Sequence, residues 1–184
     1  PVPITQAVMF CIMDVSGSMG PWEKEMSKRF FMLLYLFLTR NYEKIELVFI
    51  RHHTVAKEVD EDEFFNSRET GGTIVSPAFD LARDIIDDRF PPSKWNIYAC
   101  QCSDGDNWTA DCPSAKTSLE SKILPVTQYF AYVEIIPKEL GQRVGELWSH
   151  YEQIKAGHKN FDMASIRDVA DIYPVFRGLF EKRG

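Results

Sequence analysis

Apolar runs of strand length alternate along this chain with stretches in which apolar residues recur at helical spacing. Gln6 to Val15 contains Ala7-Val8-Met9-Phe10-Cys11-Ile12-Met13, a continuous apolar run that predicts a strand covered on both faces. Gly20-Pro21 follows, and proline suits the first turn of a helix. Trp22, Met26, Phe30, Leu33, Leu34 and Phe37 then recur at helical spacing to about Arg40, with a second half apolar all round. Such a helix packs between a sheet and neighbouring elements. Ile45 to His52 reads as a strand and Thr54 to Val59 as its antiparallel return, and Asp60 to Glu63 opens a short helix or turn. A second long helix runs to about Arg89, with Ser76 as its N-cap and Pro77 at its first position, and Pro91-Pro92 ends it. Further on come a strand from Trp95 to Ser103 and a helix from Ala110 to Lys122 interrupted by Pro113. A strand from Gln128 to Ile136, a helix from Gly141 to Ile154 and a short strand from Phe161 to Ile166 follow. Asp168 to Lys182 is a closing helix, kinked or broken at Pro174.

This alternation predicts an α/β fold of the doubly wound, Rossmann-like kind. Its sheet has six strands, mostly parallel with one antiparallel edge strand, and helices cover both faces. No repeat, low-complexity tract or linker divides the 184 residues, so one domain over residues 1–184 is expected. A hydrophobic content of 45% excludes a disordered chain. Lys and Arg number 21 against 27 Asp and Glu, and the net charge of −6 argues against a nucleic-acid or anionic-membrane binder. The longest apolar run, Phe30 to Leu38, has nine residues, against the roughly 20 that span a bilayer. Cys11, Cys100, Cys102 and Cys112 read as reduced thiols of a cytoplasmic protein. The chain opens on Pro1, and a piece of a longer protein is expected.

Candidate chemistry sits where strands end. Asp14-Val15-Ser16-Gly17-Ser18-Met19 places a carboxylate and two hydroxyls at alternate positions directly after the first strand. Ser103-Asp104-Gly105-Asp106 ends another strand about 90 residues later. In the strand order 3-2-1-4-5-6, strands 1 and 4 are neighbours and flank the crevice where the order reverses. Asp14 and Asp104 therefore converge. Gly71-Gly72 lets the backbone come close to a site, and Thr73 offers a third hydroxyl, with Thr70 as the substitute. Two carboxylates and three hydroxyls are hard oxygen donors suited to Mg²⁺ or Mn²⁺.

Asp14-x-Ser16-x-Ser18, the Gly71-Gly72-Thr73 turn and Ser103-Asp104-Gly105 together resemble the metal-ion-dependent adhesion site of von Willebrand factor A domains. Ser103 departs from the threonine of many members, outside the five ligands. The resemblance implies that Ser16, Ser18 and Thr73 contact the metal directly or through water. Asp14 and Asp104 would mostly hold coordinated waters, and an acidic side chain of a partner protein would fill the last position. The stretches Thr70-Gly-Gly-Thr-Ile-Val-Ser76, Ser103-Asp-Gly-Asp-Asn-Trp108 and Arg167-Asp-Val-Ala-Asp-Ile-Tyr-Pro-Val-Phe176 resemble the C-terminal half of the bacterial YeaH/YhbH family. That resemblance implies a link to stress response or sporulation, with a PrkA-type serine kinase system as a partner.

Other readings compete. Asp14, Ser16 and Ser18 also suit a helix-capping loop. A metal-assisted phosphoesterase is the enzymatic alternative, but the chain has no Gly-x-x-x-x-Gly-Lys loop and no histidine motif, so a non-enzyme is expected. A structural module with a vestigial site is the third class. Glu69 and Asp106 read as solvated loop charges beside the site, Trp22 as core, and Trp108 as either core or an exposed partner anchor. Cys100, Cys102 and Cys112 with His150 match no standard zinc spacing, and His52-His53 reads as a surface pair at a hairpin turn.

Overall fold

The computed structural model describes residues 4–67 and 69–180. Six strands form one sheet in the order β3-β2-β1-β4-β5-β6. They are β1 (Gln6–Asp14), β2 (Lys44–His52), β3 (Ala56–Val59), β4 (Asn96–Ser103), β5 (Tyr129–Ile135) and β6 (Phe161–Ile166). All neighbouring pairs are parallel except β2 with β3, which is antiparallel. The predicted fold class holds, down to the strand order. The apolar run of β1 lies at the centre of the sheet, and the side chains of Ala7 to Met13 are almost wholly buried.

Alternation along each strand builds two cores. Val8, Phe10 and Ile12 pack with Val48 and Ile50 under α3 (Ser76–Arg89), α4 (Cys112–Ser118) and α5 (Glu146–Gly157). Met9, Cys11 and Met13 face the other way, under α1 (Pro21–Thr39), α2 (Glu61–Asn66) and α6 (Ile172–Leu179). Aromatic edges lock α6 to α1: Phe176 meets Phe30 and Phe37 with ring centroids 6.1 and 6.0 Å apart. Trp22 is half-buried against this second core, as expected. No helix among the described residues is long and apolar enough to cross a membrane.

Several element ends differ from the sequence reading. Ser76 is the first residue of α3 rather than its cap, and Val75 holds the cap position. The reason lies 35 residues away: the Asp111 carboxylate accepts the N–H groups of both Val75 and Ser76 at 3.0 Å, so the free amides are met from outside the helix. Pro113 does not interrupt a helix; it occupies the first turn of α4, which continues through a π-helical turn at Leu119–Ile123. Pro174 likewise sits in the first turn of α6 and leaves it unbroken. Residues 181 and 182, the end expected for that helix, lie outside the described residues. The helix expected from Gly141 begins only at Glu146, with Gly145 as its cap.

Gly145 is also where α5 locks onto the loop after β4. A Cβ on Gly145 would stand 2.3 Å from the Gly105 backbone, and Leu147 N–H donates to Gly105 O at 3.0 Å. Gly105 itself has φ of +85°, which favours glycine. At the far edge, β3 has only four residues, and its Lys57 and Glu58 are exposed.

Gly145→Ala should force α5 and the β4 loop apart and lower stability by about 1–3 kcal/mol, as overpacking does. Gly157→Ala, where a Cβ meets nothing within 4 Å, is the control and should stay within about 0.5 kcal/mol of the parent chain. Urea unfolding of the two variants measures both.

Candidate metal centre

Asp14 is the last residue of β1, and its register partner is His52 at the end of β2. Ser103 at the end of β4 pairs with Glu134 on β5. Because Met13 pairs with Cys102, the next row of the sheet carries His52, Asp14, Ser103 and Glu134 across four adjacent strands. All four have zero exposure. A polar row thus closes the α3–α5 core at the carboxyl ends of the strands, where a doubly wound sheet opens its crevice.

The loop after β1 turns on this row. Ser16 N–H donates to Asp14 Oδ1 at 2.7 Å, and Ser16 Oγ lies 3.3 Å from Ser18 Oγ. Asp106 N–H donates to Asp104 Oδ1 at 3.0 Å, and Gly105 N–H donates to Ser103 Oγ at 2.9 Å, so the second loop mirrors the first. The Asp104 carboxyl meets both the Ser18 hydroxyl and the Asp14 carboxyl. Thr73 lines the same crevice of about 540 Å³ as Ser16 and Ser18. The five residues singled out by sequence therefore gather at one place. Thr70 does not join them; it lines a neighbouring crevice.

Thr73 is placed by a tie between segments far apart in the chain. Trp108 N–H donates to Thr73 O at 2.9 Å. Asn107 Oδ1 accepts from Val75 N–H at 3.2 Å while its amide nitrogen donates to Asp111 at 3.1 Å. Asp111 also accepts from the Ser76 hydroxyl. The stretch after Asp104 thus grips the stretch after Thr73. Asn107, Asp111, Glu134 and Gly145 support the site, and none carries a local signal in the sequence.

Electrostatics at the site run one way. Burial pushes the Asp14 carboxyl up to about 6, against the pull of its bonds with Ser16, and Asp106 raises it further. Burial and the Asp14 charge push Asp104 up to about 6 as well. Glu134, bonded to Gly145 N–H at 2.8 Å and to Tyr132 Oη at 3.2 Å, is driven by burial to about 7. Asp14 Oδ2 is buried with no hydrogen-bond partner among the described residues, and the Asp104 carboxyl lies beside the Asp14 carboxyl. Two carboxyls so placed need a proton or a cation between them. Asp106 is half-buried and its carboxyl is raised by burial and by Asp104, so it belongs to the site's charge rather than to a solvated loop. Glu69 instead pairs with Arg51 at 3.2 Å.

One further expectation changes. His52 is not a surface residue: it is fully buried, neither ring nitrogen has a partner among the described residues, and burial holds its pKa near 4. The strand period that turns Val48 and Ile50 inward carries His52 with them. All four cysteines are free and buried, but Cys100 and Cys102 face the α1 side of the sheet while Cys112 packs on the α3 side, so no zinc set forms. Among the described residues no three His, Cys, Asp or Glu side chains form a metal-holding group. The crevice offers a different donor set, of carboxylates and hydroxyls.

A family model described as "Protein of unknown function (DUF444)" matches residues 1–183, and the chain belongs to that family. A "UPF0229 protein" of Legionella pneumophila (strain Corby) is 61% identical over 183 residues, covering 100% of this chain and 43% of the relative. One of Thiobacillus denitrificans is also 61% identical, with the same coverage. The chain spans less than half the length of these curated relatives. Among solved structures, an aerotolerance-related membrane protein from Bacteroides fragilis is similar with a TM-score of 0.62 at 15% identity, covering 96% of this chain and 99% of that one. The manganese-loaded Plasmodium vivax TRAP protein is similar with a TM-score of 0.53 at 16% identity, covering 95% and 74%. At these identities the likeness is one of fold, of the von Willebrand factor A kind.

An acid whose folded-state pKa is raised stabilises the fold below its unfolded value, near 4, and loses that contribution as pH rises through the folded value. With Asp14 and Asp104 both near 6, the chain in chelator should lose stability between about pH 4 and 7 through this pair. Asp14→Asn keeps an acceptor for Ser16 N–H and removes the buried charge. It should flatten that fall and raise stability at neutral pH by on the order of 1–3 kcal/mol. Urea unfolding in EDTA across that range measures it, and an unchanged pH slope counts against the facing pair.

Proposed function

We propose that this chain is a divalent-cation-dependent protein-binding module. The observation that carries the proposal is the buried Asp14 carboxyl, whose Oδ2 has no hydrogen-bond partner among the described residues and which lies beside the Asp104 carboxyl. A cation between them would answer what is otherwise a buried acid beside a half-buried one, with no basic partner among the described residues for either. The donors at hand fit a hard ion: Ser16, Ser18 and Thr73 line the crevice, and the Asp104 carboxyl meets both the Ser18 hydroxyl and the Asp14 carboxyl. Mg²⁺ or Mn²⁺ accepts such a set and keeps positions for outside ligands. When bound, the ion would supply an electrophilic centre for an acidic side chain of a partner. The manganese-loaded neighbour in fold supports this choice of ion.

The chain's own residues would do the rest. Asp14 and Asp104 offset the ion's charge, and the neutral hydroxyls leave it able to attract a carboxylate. Asp111 and Asn107 hold Thr73 in reach, and the Gly105–Gly145 contact holds Asp104. In this reading Ser16 and Ser18, whose hydroxyls lie 3.3 Å apart, serve as ion ligands rather than as nucleophiles. The bacterial setting implied by the sequence resemblance, with a PrkA-type serine kinase system in the cytoplasm, gives one partner to try.

Titration calorimetry with Mg²⁺ and Mn²⁺ tests the metal. Both carboxyls hold protons below about pH 6, and an ion must displace them. Affinity should therefore rise with pH, by about tenfold per unit for each proton released below that value, and level off above it. Asp14→Ala should lower affinity by about a hundredfold or more, the removal of an ion-facing charge, while the far-ultraviolet circular dichroism stays that of the parent. Heat of binding that is absent at neutral pH, or that survives Asp14→Ala, would overturn the proposal.

A further inference from the structure

Two crevices meet at Ser16, which lines both. One, of about 540 Å³, is walled by Trp108 and the Gly71–Thr73 turn and carries Asp106 and Glu146. The other, of about 520 Å³, lies between the start of α1 and the segment after α2, walled by Met19, Lys24, Lys28 and Phe65.

Their chemistries are opposite. Trp108 is 64% exposed, yet its backbone is fixed: its N–H donates to Thr73 O and its carbonyl accepts from Asp111 N–H at 2.8 Å. An exposed indole on a pinned backbone loses little freedom on contact, and tryptophan is favoured where binding energy concentrates. The acids Asp106 and Glu146 in the same crevice repel a carboxylate but not an uncharged side chain, which the indole can meet. In the second crevice the acids are engaged, Glu25 by Arg29 at 3.1 Å and Glu69 by Arg51 at 3.2 Å. Lys28 is exposed, has no ion pair among the described residues, and stands 5.5 Å over the Phe65 ring. A cation over a ring face keeps its charge for a second partner. On a chain of net charge −6, this is a local reversal of sign next to the candidate metal centre.

We propose that the partner is an extended acidic segment lying across Ser16, with one carboxylate at the metal centre, a large apolar side chain against Trp108 and a second carboxylate at Lys28. The first of these contacts rests on the metal reading above; the other two stand on the crevices. The order along the partner follows from the charges, since the second acid is excluded from the Trp108 side by Asp106 and Glu146. Affinity is then spread over three points, and specificity comes from the two that flank the ion.

A phage-displayed library of random peptides, panned on the chain in Mg²⁺, tests this. Recovered peptides should carry an acid flanked on one side by an aromatic or aliphatic residue and on the other by a second acid. Panning on Trp108→Ala should lose the apolar preference and keep both acids. Panning on Lys28→Glu should lose the second acid and bring in a basic residue there. A synthetic peptide of the recovered sequence should bind Trp108→Ala about tenfold more weakly, and the same peptide with alanine at the apolar position should bind both chains equally. Peptides that EDTA releases but whose pattern is the same on all three chains would overturn the three-point segment and leave the metal reading standing. Peptides of the expected pattern that bind equally in EDTA would support the two flanking contacts and overturn the metal reading. Recovery of no peptide above background would overturn the segment.

Discussion

Asp14 ends β1 and Asp104 directly follows β4, its parallel neighbour, and their carboxyls meet with Asp14 fully buried and Asp104 half-buried. Most of the architecture around the crevice serves that meeting. The loops that follow the two aspartates each turn on an amide two residues on, which donates to the acid's own oxygen. Ser16 and Ser18 come to the crevice because the first loop is so turned. Thr73 comes because Asn107 and Asp111, downstream of the second aspartate, hold the backbone that follows it. Burial of like charge is costly, and here the cost is met in neither of the ordinary ways, by a basic side chain or by an apolar replacement.

The framework of this arrangement was legible along the chain. β1 was plain because an unbroken apolar run is what a central parallel strand requires, and β4 because Ile97 to Cys100 has the same character over a shorter span. Once the strand order was granted, two aspartates at the ends of strands 1 and 4 had to be neighbours. The supports were not legible, for a physical reason. Asp111 caps a helix that begins 35 residues before it, and Gly145 touches Gly105 across 40 residues. Contacts of that kind follow no period and no local propensity. Ser76 was misplaced as a cap for the same cause, since a better acceptor arrives from elsewhere in the fold. His52 shows the reverse: its burial followed from the strand period, which outweighs the polarity of a single residue near a turn.

The same division explains how an interior so tightly set can present a specific surface. Six parallel or antiparallel strands and two aromatic-rich cores hold the strand ends still, while recognition falls to what projects beyond them: the Ser16–Ser18 turn, Trp108, and the start of α1. Rigid strands under short loops keep side chains near a common point without strain in the loops themselves, and no non-glycine residue among those described has a positive φ.

The edge strand β3 adds a constraint of another sort. It is four residues long, and its outward charges are tied to the body of the protein, Glu58 to Arg89 and Lys57 to Glu63 at 3.6 Å. A strand so short and so charged is a poor template for backbone pairing with a second molecule. Lateral growth of the sheet through this border is therefore discouraged, and molecules crowded together have little reason to polymerise there.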